Sequence, residues 1–261
     1  MKIGTYNIRV DMPIDWLRGH GWWFNRHRLV IKKIKDNDLD IIALQEVKHW
    51  FQLLSINLAL HEYDSFSVGR NSDNGLIGER VGIWWKKNKY KLIVKNHFFI
   101  SETPDQSSKG WDATYKKVCA VVMLQDILTG EYIHVFSTHL DSNGKVAKEK
   151  GMKLVLSKMD KINKRHTIFM LGDLNISPFI HPDYLIAPYY LALEKYNDCY
   201  KIANTINQIM PNTYNGFNSN IEPTEHYRGD MIFTNLNYVE QYSNEFDSQA
   251  SDHNLIHIKT K

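Results

Sequence analysis

Apolar residues along the chain gather in short runs rich in β-branched and aromatic side chains, and six of these runs carry a polar motif at one end. Residues 1–8 form the first, with Asn7 near its C-terminal end. Residues 39–44 lead into Glu46, residues 132–136 into His139 and Asp141, and residues 167–171 into Asp173 and Asn175. Runs of this composition, bounded by Gly, Asp or Asn, read as buried strands. Two motifs reverse the order: Asp230 precedes the run 231–233, and His253 precedes the run 255–258. If these two strands run antiparallel to the other four, all six motifs fall on one edge of the fold. The spacing agrees, because residues two apart on an extended chain share a face. Asp173 and Asn175, His139 and Asp141, and Arg228 and Asp230 are such pairs.

Between these runs the pattern predicts a loop over residues 10–24 that holds Trp16, Gly19, His20, Gly21, Trp22 and Trp23. A helix follows, with Asn25 as its cap and His27, Val30, Ile31 and Ile34 at helical spacing. A second helix is predicted near 48–60. Strands of a meander are predicted near 63–68, 80–86, 89–100 and 114–126, interrupted by a turn-rich insertion at 101–113. Residues 145–162 give the clearest helix: Met152, Val155, Leu156, Met159 and Ile162 form its apolar stripe, and its lysines read as a solvated face. Residues 181–210 read as helical and irregular, and Tyr214-Asn215-Gly216-Phe217 as a turn between extended pieces. The Arg-Gly-Asp tripeptide at 228–230 runs into an apolar strand, so it is read as strand lead-in and not as an adhesion signal.

The 261 residues, 43% hydrophobic and 23% charged, have ordinary globular composition, and no linker or repeat divides them. One domain over residues 1–261 is therefore expected. A net charge of +3 is too small to signal an electrostatic nucleic-acid binder. Cys119 and Cys199 have no metal-ligand spacing and suit a reduced compartment. The chain enters its first strand with no basic-then-apolar leader, and no apolar run reaches membrane-spanning length. A cytoplasmic protein without integral membrane association is expected.

The six motifs supply carboxylates, amides and two imidazoles but no thiols, an inventory suited to a hard divalent cation beside a phosphate ester. Glu46 is the foremost ligand candidate for Mg²⁺, with Mn²⁺ as a substitute, and Asn7 and Asp252 are its candidate partners. Zinc is disfavoured by the lack of a Cys or close His pair. Asp173 is a candidate for orienting and deprotonating water, and Asn175 for offering an amide to water or phosphate. Asp230 is the candidate partner that fixes the tautomer of His253 and raises its basicity. His139 is a candidate donor to a non-bridging oxygen.

Leu44-Gln45-Glu46, Thr138-His139-Leu140-Asp141, Gly172-Asp173-Leu174-Asn175 and Ser251-Asp252-His253 together resemble the endonuclease/exonuclease/phosphatase superfamily. This metal-dependent group includes pancreatic deoxyribonuclease, exonuclease III, neutral sphingomyelinases and inositol-polyphosphate 5-phosphatases. The resemblance runs from Asn7 to His253 with the motifs in the family's order. It implies an α/β/β/α sandwich of four layers, two mixed sheets face to face with helices outside, and a site at one end. It also implies that Asn7 and Glu46 are metal-site residues with Asp252 beside the metal. Asp173 would position the nucleophile, Asn175 and His139 would contact phosphate, and Asp230 would support His253.

The segments Asn7-Ile8-Arg9, 101–113 and 213–217 are similar to a branch of small bacterial proteins, which makes Arg9, Trp111, Asp112 and Asn215 candidate substrate contacts. Thr138-His139-Leu140-Asp141 stands where abasic-site endonucleases carry Tyr-x-Pro-Asn. Arg228-Gly229-Asp230-Met231 lacks the family's aromatic residue after the aspartate. Both departures count against DNA repair. A phosphorylated small molecule is the leading expectation for the substrate, and nucleic acid is the alternative because the lysines look dispersed. A lipid activity built on Trp22, Trp23, Trp84, Trp85 and Trp111 ranks below these, and a non-catalytic binding protein ranks last.

Overall fold

A computed structural model describes residues 1–12, 14–15, 22–48, 50–178, 186–208, 212–221 and 228–261. The apolar runs become the strands of two mixed sheets. The first sheet has seven strands in the order β10 (Ala203–Gln208), β12 (Val239–Glu245), β13 (Leu255–Lys259), β1 (Lys2–Asn7), β2 (Ile41–Val47), β4 (Arg80–Lys86) and β3 (Tyr63–Gly69). The second has six, in the order β5 (Tyr90–Phe99), β6 (Val118–Asp126), β7 (Tyr132–His139), β8 (Thr167–Asp173), β11 (Asp230–Thr234) and β9 (Asn197–Asp198).

Alternation along each strand sorts side chains between two faces. Ile3, Ile41, Ala43, Ile83 and Ile256 of the first sheet meet Ala120, Val122, Val135, Phe169 and Leu171 of the second in one inter-sheet core. Their neighbours point outward. Tyr6, Ile42 and Leu44 pack with α1 (Trp23–Asp36) and α2 (Phe51–Ala59) through Val30, Ile34 and Ile56. Phe136, Ile168, Met170 and Phe233 pack with α3 (Lys145–Met159) and α4 (Ala187–Leu193) through Met152, Val155, Met159 and Ala192. The result is the expected four-layer sandwich. Among the described residues, no helix is long and apolar enough to cross a membrane.

Strand polarity delivers the motifs to one edge. β1 and β2 are parallel, and β13 is antiparallel to β1. β7 and β8 are parallel, and β11 is antiparallel to β8. Thus β1, β2, β7 and β8 end where β11 and β13 begin. A buried polar link also crosses the inter-sheet seam: Thr5 Oγ1 donates to Gln45 Oε1 at 3.0 Å, and Gln45 Nε2 donates to Ser137 Oγ at 3.4 Å.

Several expectations need correction. Helix α1 starts at Trp23, so Asn25 lies inside its first turn, and the cap is a distant one: Asp11 Oδ1 accepts the Trp23 N–H at 3.1 Å. Residues 203–208 pair with β12 as a strand rather than continuing a helix. Lys148 of α3 is buried, not part of a solvated face. Trp23, Trp84 and Trp85 are core residues and cannot form an interfacial aromatic patch. Trp16, Gly19, His20, Gly21 and residues 181–185 lie outside the described residues.

The opposite reach of β7 carries a pH-sensitive pair. His134 Nε2 lies 2.9 Å from His166 Nδ1, and the two rings stack with centroids 5.2 Å apart. Burial, reinforced by His166, pushes His134 down to about 4. The folded chain therefore holds His134 neutral between pH 4 and 6.5, where the unfolded chain takes up a proton. Stability tied to this group is complete above about pH 6.5 and is lost as pH falls toward 4. Replacing His134 with Gln should remove roughly 2 kcal/mol of the acid sensitivity between pH 7 and 4.5, allowing for solvent screening. Urea unfolding at both pH values checks this; identical pH dependence in variant and wild type would refute it.

Candidate active site

At the edge where β7, β8 and β11 meet, register sets His139 opposite Asp173 and Asp173 opposite Asp230. The strands can come this close because of Gly172. Its φ is +147°, and a Cβ there would stand 1.8 Å from the Thr138 carbonyl oxygen. On the other sheet, the pairing of β2 with β4 slips between Leu44 and Val47, and Glu46 adopts φ 59°. Such a bulge re-aims a side chain at a strand end; here Glu46 meets Asn7.

Asn7 is fully buried and clips the two sheets together. Its Nδ2 donates to Glu46 Oε1 at 3.0 Å and to Asp173 Oδ2 at 3.0 Å, and lies 3.5 Å from His253 Nε2. Its Oδ1 accepts the Arg9 N–H at 3.0 Å, which fixes the amide in this orientation. Glu46 Oε2 accepts the Val10 N–H at 2.8 Å. Asp173 Oδ1 accepts the Asn175 N–H at 3.1 Å. Across the seam, His253 Nδ1 bonds Asp230 Oδ2 at 2.8 Å, while its Nε2 faces Asp173 Oδ2 at 3.7 Å. The Tyr214 ring stands edge-on to the His253 imidazole, centroids 5.1 Å apart. His139 Nε2 is 3.5 Å from Asp173 Oδ2, and its buried Nδ1 has no partner among the described residues.

Charge follows from these contacts. Burial disfavours an ionised Glu46, but His139, the Val10 N–H, Asn7 and His253 outweigh it and bring the carboxyl down to about 2. Asp173 is lowered in the same way, against burial, by the two histidines and Asn7. Burial also opposes charge on His253, yet Asp230 and Asp173 raise its pKa well above the ordinary histidine value and hold it cationic. His139 goes the other way: burial and the Lys117 charge push it down to about 4, so it is neutral. The site thus pairs one charged imidazole with one neutral imidazole around ionised carboxylates, an arrangement found where acid and base roles are divided.

The remaining sequence candidates take other positions. Asn175, in the left-handed region at φ 50°, donates from Nδ2 to the Leu140 carbonyl at 3.1 Å. Asp252 stands apart from the tight carboxylate–histidine groups: Arg9 Nη1 lies 3.5 Å from its Oδ2, and its backbone carbonyl accepts the N–H groups of Asn215 and Gly216. Arg9 itself is held by a two-point contact with Asp15, at 3.2 and 3.1 Å. Asn215 is fully buried, with its amide bonded to Asn254 Oδ1 and the Phe217 N–H, so it shapes its loop instead of facing a substrate. Asp112 caps α3, accepting the N–H groups of Val146 and Ala147. Trp111 is half-buried against the α3 core, with Lys150 over its ring. The pairs expected to share a face also diverge: Asp141 collects the N–H groups of Thr114, Tyr115, Asn143 and Gly144, and Arg228 is buried against Asp198 at 2.7 Å.

Sequence reasoning did not find Lys117, a buried lysine in Coulombic range of Asp173. Nor did it find Arg26, whose buried guanidinium donates to the carbonyls of Ile8, Arg9 and Ala250 behind the site. Ser251 Oγ likewise donates to the Asn7 carbonyl at 2.7 Å. Only Ser251, as a motif member, had a visible signal.

The donor set suits a hard cation. Glu46, His139 and Asp173 form one group, and Asp173, Asp230 and His253 another; within each, one ligand atom per residue lies within 4.8 Å of the others. A model of the endonuclease/exonuclease/phosphatase family matches residues 4–253. The chain belongs to this family. Members of the endonuclease/exonuclease/phosphatase family are hydrolases acting on phosphate esters and typically use divalent metals. Among solved structures, the mannosyl-6-phosphatase of Bacteroides thetaiotaomicron is 28% identical, with a TM-score of 0.88 over 99% of this chain and 98% of that one. A family protein from Bacteroides vulgatus is also 28% identical, with a TM-score of 0.88 over 98% of this chain and 97% of its own. Among curated proteins, the CCR4-Not complex 3'-5'-exoribonuclease subunit Ccr4 of Coccidioides immitis is 27% identical over 139 residues, 47% of this chain. That match spans only 18% of the relative's length.

Proposed function

We propose that the chain is a divalent-metal-dependent phosphoesterase that hydrolyses a phosphorylated small molecule, with Mg²⁺ as its ion and Mn²⁺ as a substitute. The observation that carries this reading is the hydrogen-bonded set of buried Asn7, Asp173 and Asp230 with half-buried Glu46 and His253, which crosses the seam between the sheets. Glu46 is the residue we assign to the ion, since it is ionised and its second oxygen is fixed by Val10. Asn7 flanks it through an N–H and not a carbonyl oxygen, and Asp252 lies farther out beside Arg9. A bound divalent ion would neutralise phosphate charge and polarise the ester.

The chain's own groups supply the rest. Asp173, immobilised at both oxygens by Asn175 and Asn7, is the acceptor that orients an attacking water and draws off its proton. His253, held cationic by Asp230, stabilises charge that develops on the phosphoryl oxygens. Neutral His139 offers an N–H without adding charge. Likeness to a mannosyl-6-phosphatase over nearly the whole chain, set beside a partial match to an exoribonuclease, favours a small phosphorylated molecule over nucleic acid. The modest net charge of +3 points the same way.

A panel of sugar phosphates, nucleotides and oligonucleotides, assayed with Mg²⁺ and with EDTA, tests the reading. Turnover should depend on metal, and Glu46→Gln should raise the Mg²⁺ concentration for half-maximal rate at least about tenfold. Metal-independent turnover, or a salt-sensitive preference for oligonucleotides, would displace it.

A further inference from the structure

Five Lys and Arg side chains are buried among the described residues: Arg26, Arg80, Lys117, Lys148 and Arg228. Arg26 donates to backbone carbonyls, Arg80 to Ser67 and Leu76, and Arg228 to Asp198; Lys148 also has a partner. Lys117 is the exception. It is 6% exposed, and its ammonium has neither a hydrogen bond nor an ion pair with any described residue. Burial lowers the Lys117 pKa, and Glu79 is the first charge that opposes this without bonding the ammonium, so an anionic ligand at the ammonium would restore its charge.

Its place in the fold identifies that ligand. Lys117 enters β6 with its carbonyl accepting the Ile100 N–H at 2.8 Å. Two residues on, Cys119 pairs with Thr138, the neighbour of His139. Lys117 is the foremost charge acting on His139, and the carboxylates acting on the ammonium are Glu79, Asp141 and Asp173 in that order, which together with the strand register puts Lys117 on the His139 side of the site. Nearby, Arg70 is already paired with Glu79 at 2.8 Å and leans over Tyr115, so it does not compete for the ligand.

We propose that Lys117 is a phosphoryl-binding residue of this cleft, and that it selects the dianionic phosphate of a monoester over the single charge of a diester. This inference rests on the phosphoesterase reading and adds a substrate class to it. A monoester phosphate carries close to two negative charges above about pH 7. One of its terminal oxygens is a partner that a diester, with that oxygen esterified, lacks.

The test uses the full chain with Mg²⁺ and compares p-nitrophenyl phosphate with bis(p-nitrophenyl) phosphate. Lys117→Met should lower kcat/KM for the monoester about 30- to 100-fold and for the diester less than about 3-fold. Lys117→Arg should recover most of the loss. Since the ammonium is unpaired, Lys117→Met should melt no lower than wild type, which separates ligand binding from a structural role. Calorimetric titration with inorganic phosphate forms a second arm, and affinity should fall at least about tenfold in Lys117→Met. Equal losses on both esters, no loss on the monoester, or phosphate binding that is absent or unchanged would each overturn the assignment. If wild type cleaved neither ester yet bound phosphate through Lys117, the hydrolase reading would fall and the anion site would stand.

Discussion

Replacing Asp173 with Asn should lower kcat by about 10²–10⁴-fold while KM stays near wild type and the melting temperature falls by only a few degrees, the cost of the lost Asn7 contact. The substitution keeps the shape of the side chain and the oxygen that accepts the Asn175 N–H. What it changes is the other atom, Oδ2, which now accepts from Asn7 and faces both imidazoles. An amide nitrogen there would oppose the Asn7 donor and offer no acceptor for the proton of an attacking water. Burial makes this worse, since no solvent takes over the role at a residue 3% exposed. Steady-state kinetics at saturating Mg²⁺, with melting curves in parallel, measure both quantities. A variant retaining more than about a tenth of wild-type kcat would remove Asp173 from the mechanism.

Gly172→Ala should cost roughly 3–5 kcal/mol of folding stability, combining backbone strain with overpacking. The φ of +147° is a conformation that side chains rarely adopt, and the obstacle at 1.8 Å is the Thr138 carbonyl, a backbone atom that no rotamer change can move. Relief requires β7 and β8 to part where His139 faces Asp173. For a chain of this size the melting temperature should fall by about 10 °C, with activity lost at temperatures where the fold persists. A melting temperature within one or two degrees of wild type, judged by calorimetry, would show that the strands relax more readily than the geometry implies.

The sequence made the sandwich and the central site residues readable because each lies at the end of a strand whose composition is locally encoded. Asn7, Glu46, His139, Asp173, Asp230 and His253 all meet at one edge, and the antiparallel entry of β11 and β13 is the step the pattern required. What remained hidden depends on distant partners. Asp112 caps α3 and Asn215 braces Asn254, roles set by residues 35 and 39 positions away. Asn25 looked like a cap because it precedes an apolar periodic run, but the Asp11 carboxylate stabilises the helix start two residues earlier. Strand 203–208 is largely exposed at a sheet edge, so it lacks the apolar alternation that marks the others. Lys117 follows Lys116 in sequence, and nothing local separates the buried ammonium from its neighbour, which donates to Ser107.

The hydrogen bond from His253 to Asp230 has one end at the entrance to β13 and the other at the start of β11, so it joins the two sheets. Asn7 does the same toward Asp173. The reacting groups therefore act as a caliper whose jaws belong to separate slabs, and the packing between the slabs sets the gap. Trimming Phe169 or Ile256, both deep in that packing and without a place in the chemistry, would let the jaws drift and should slow turnover by detuning distance alone.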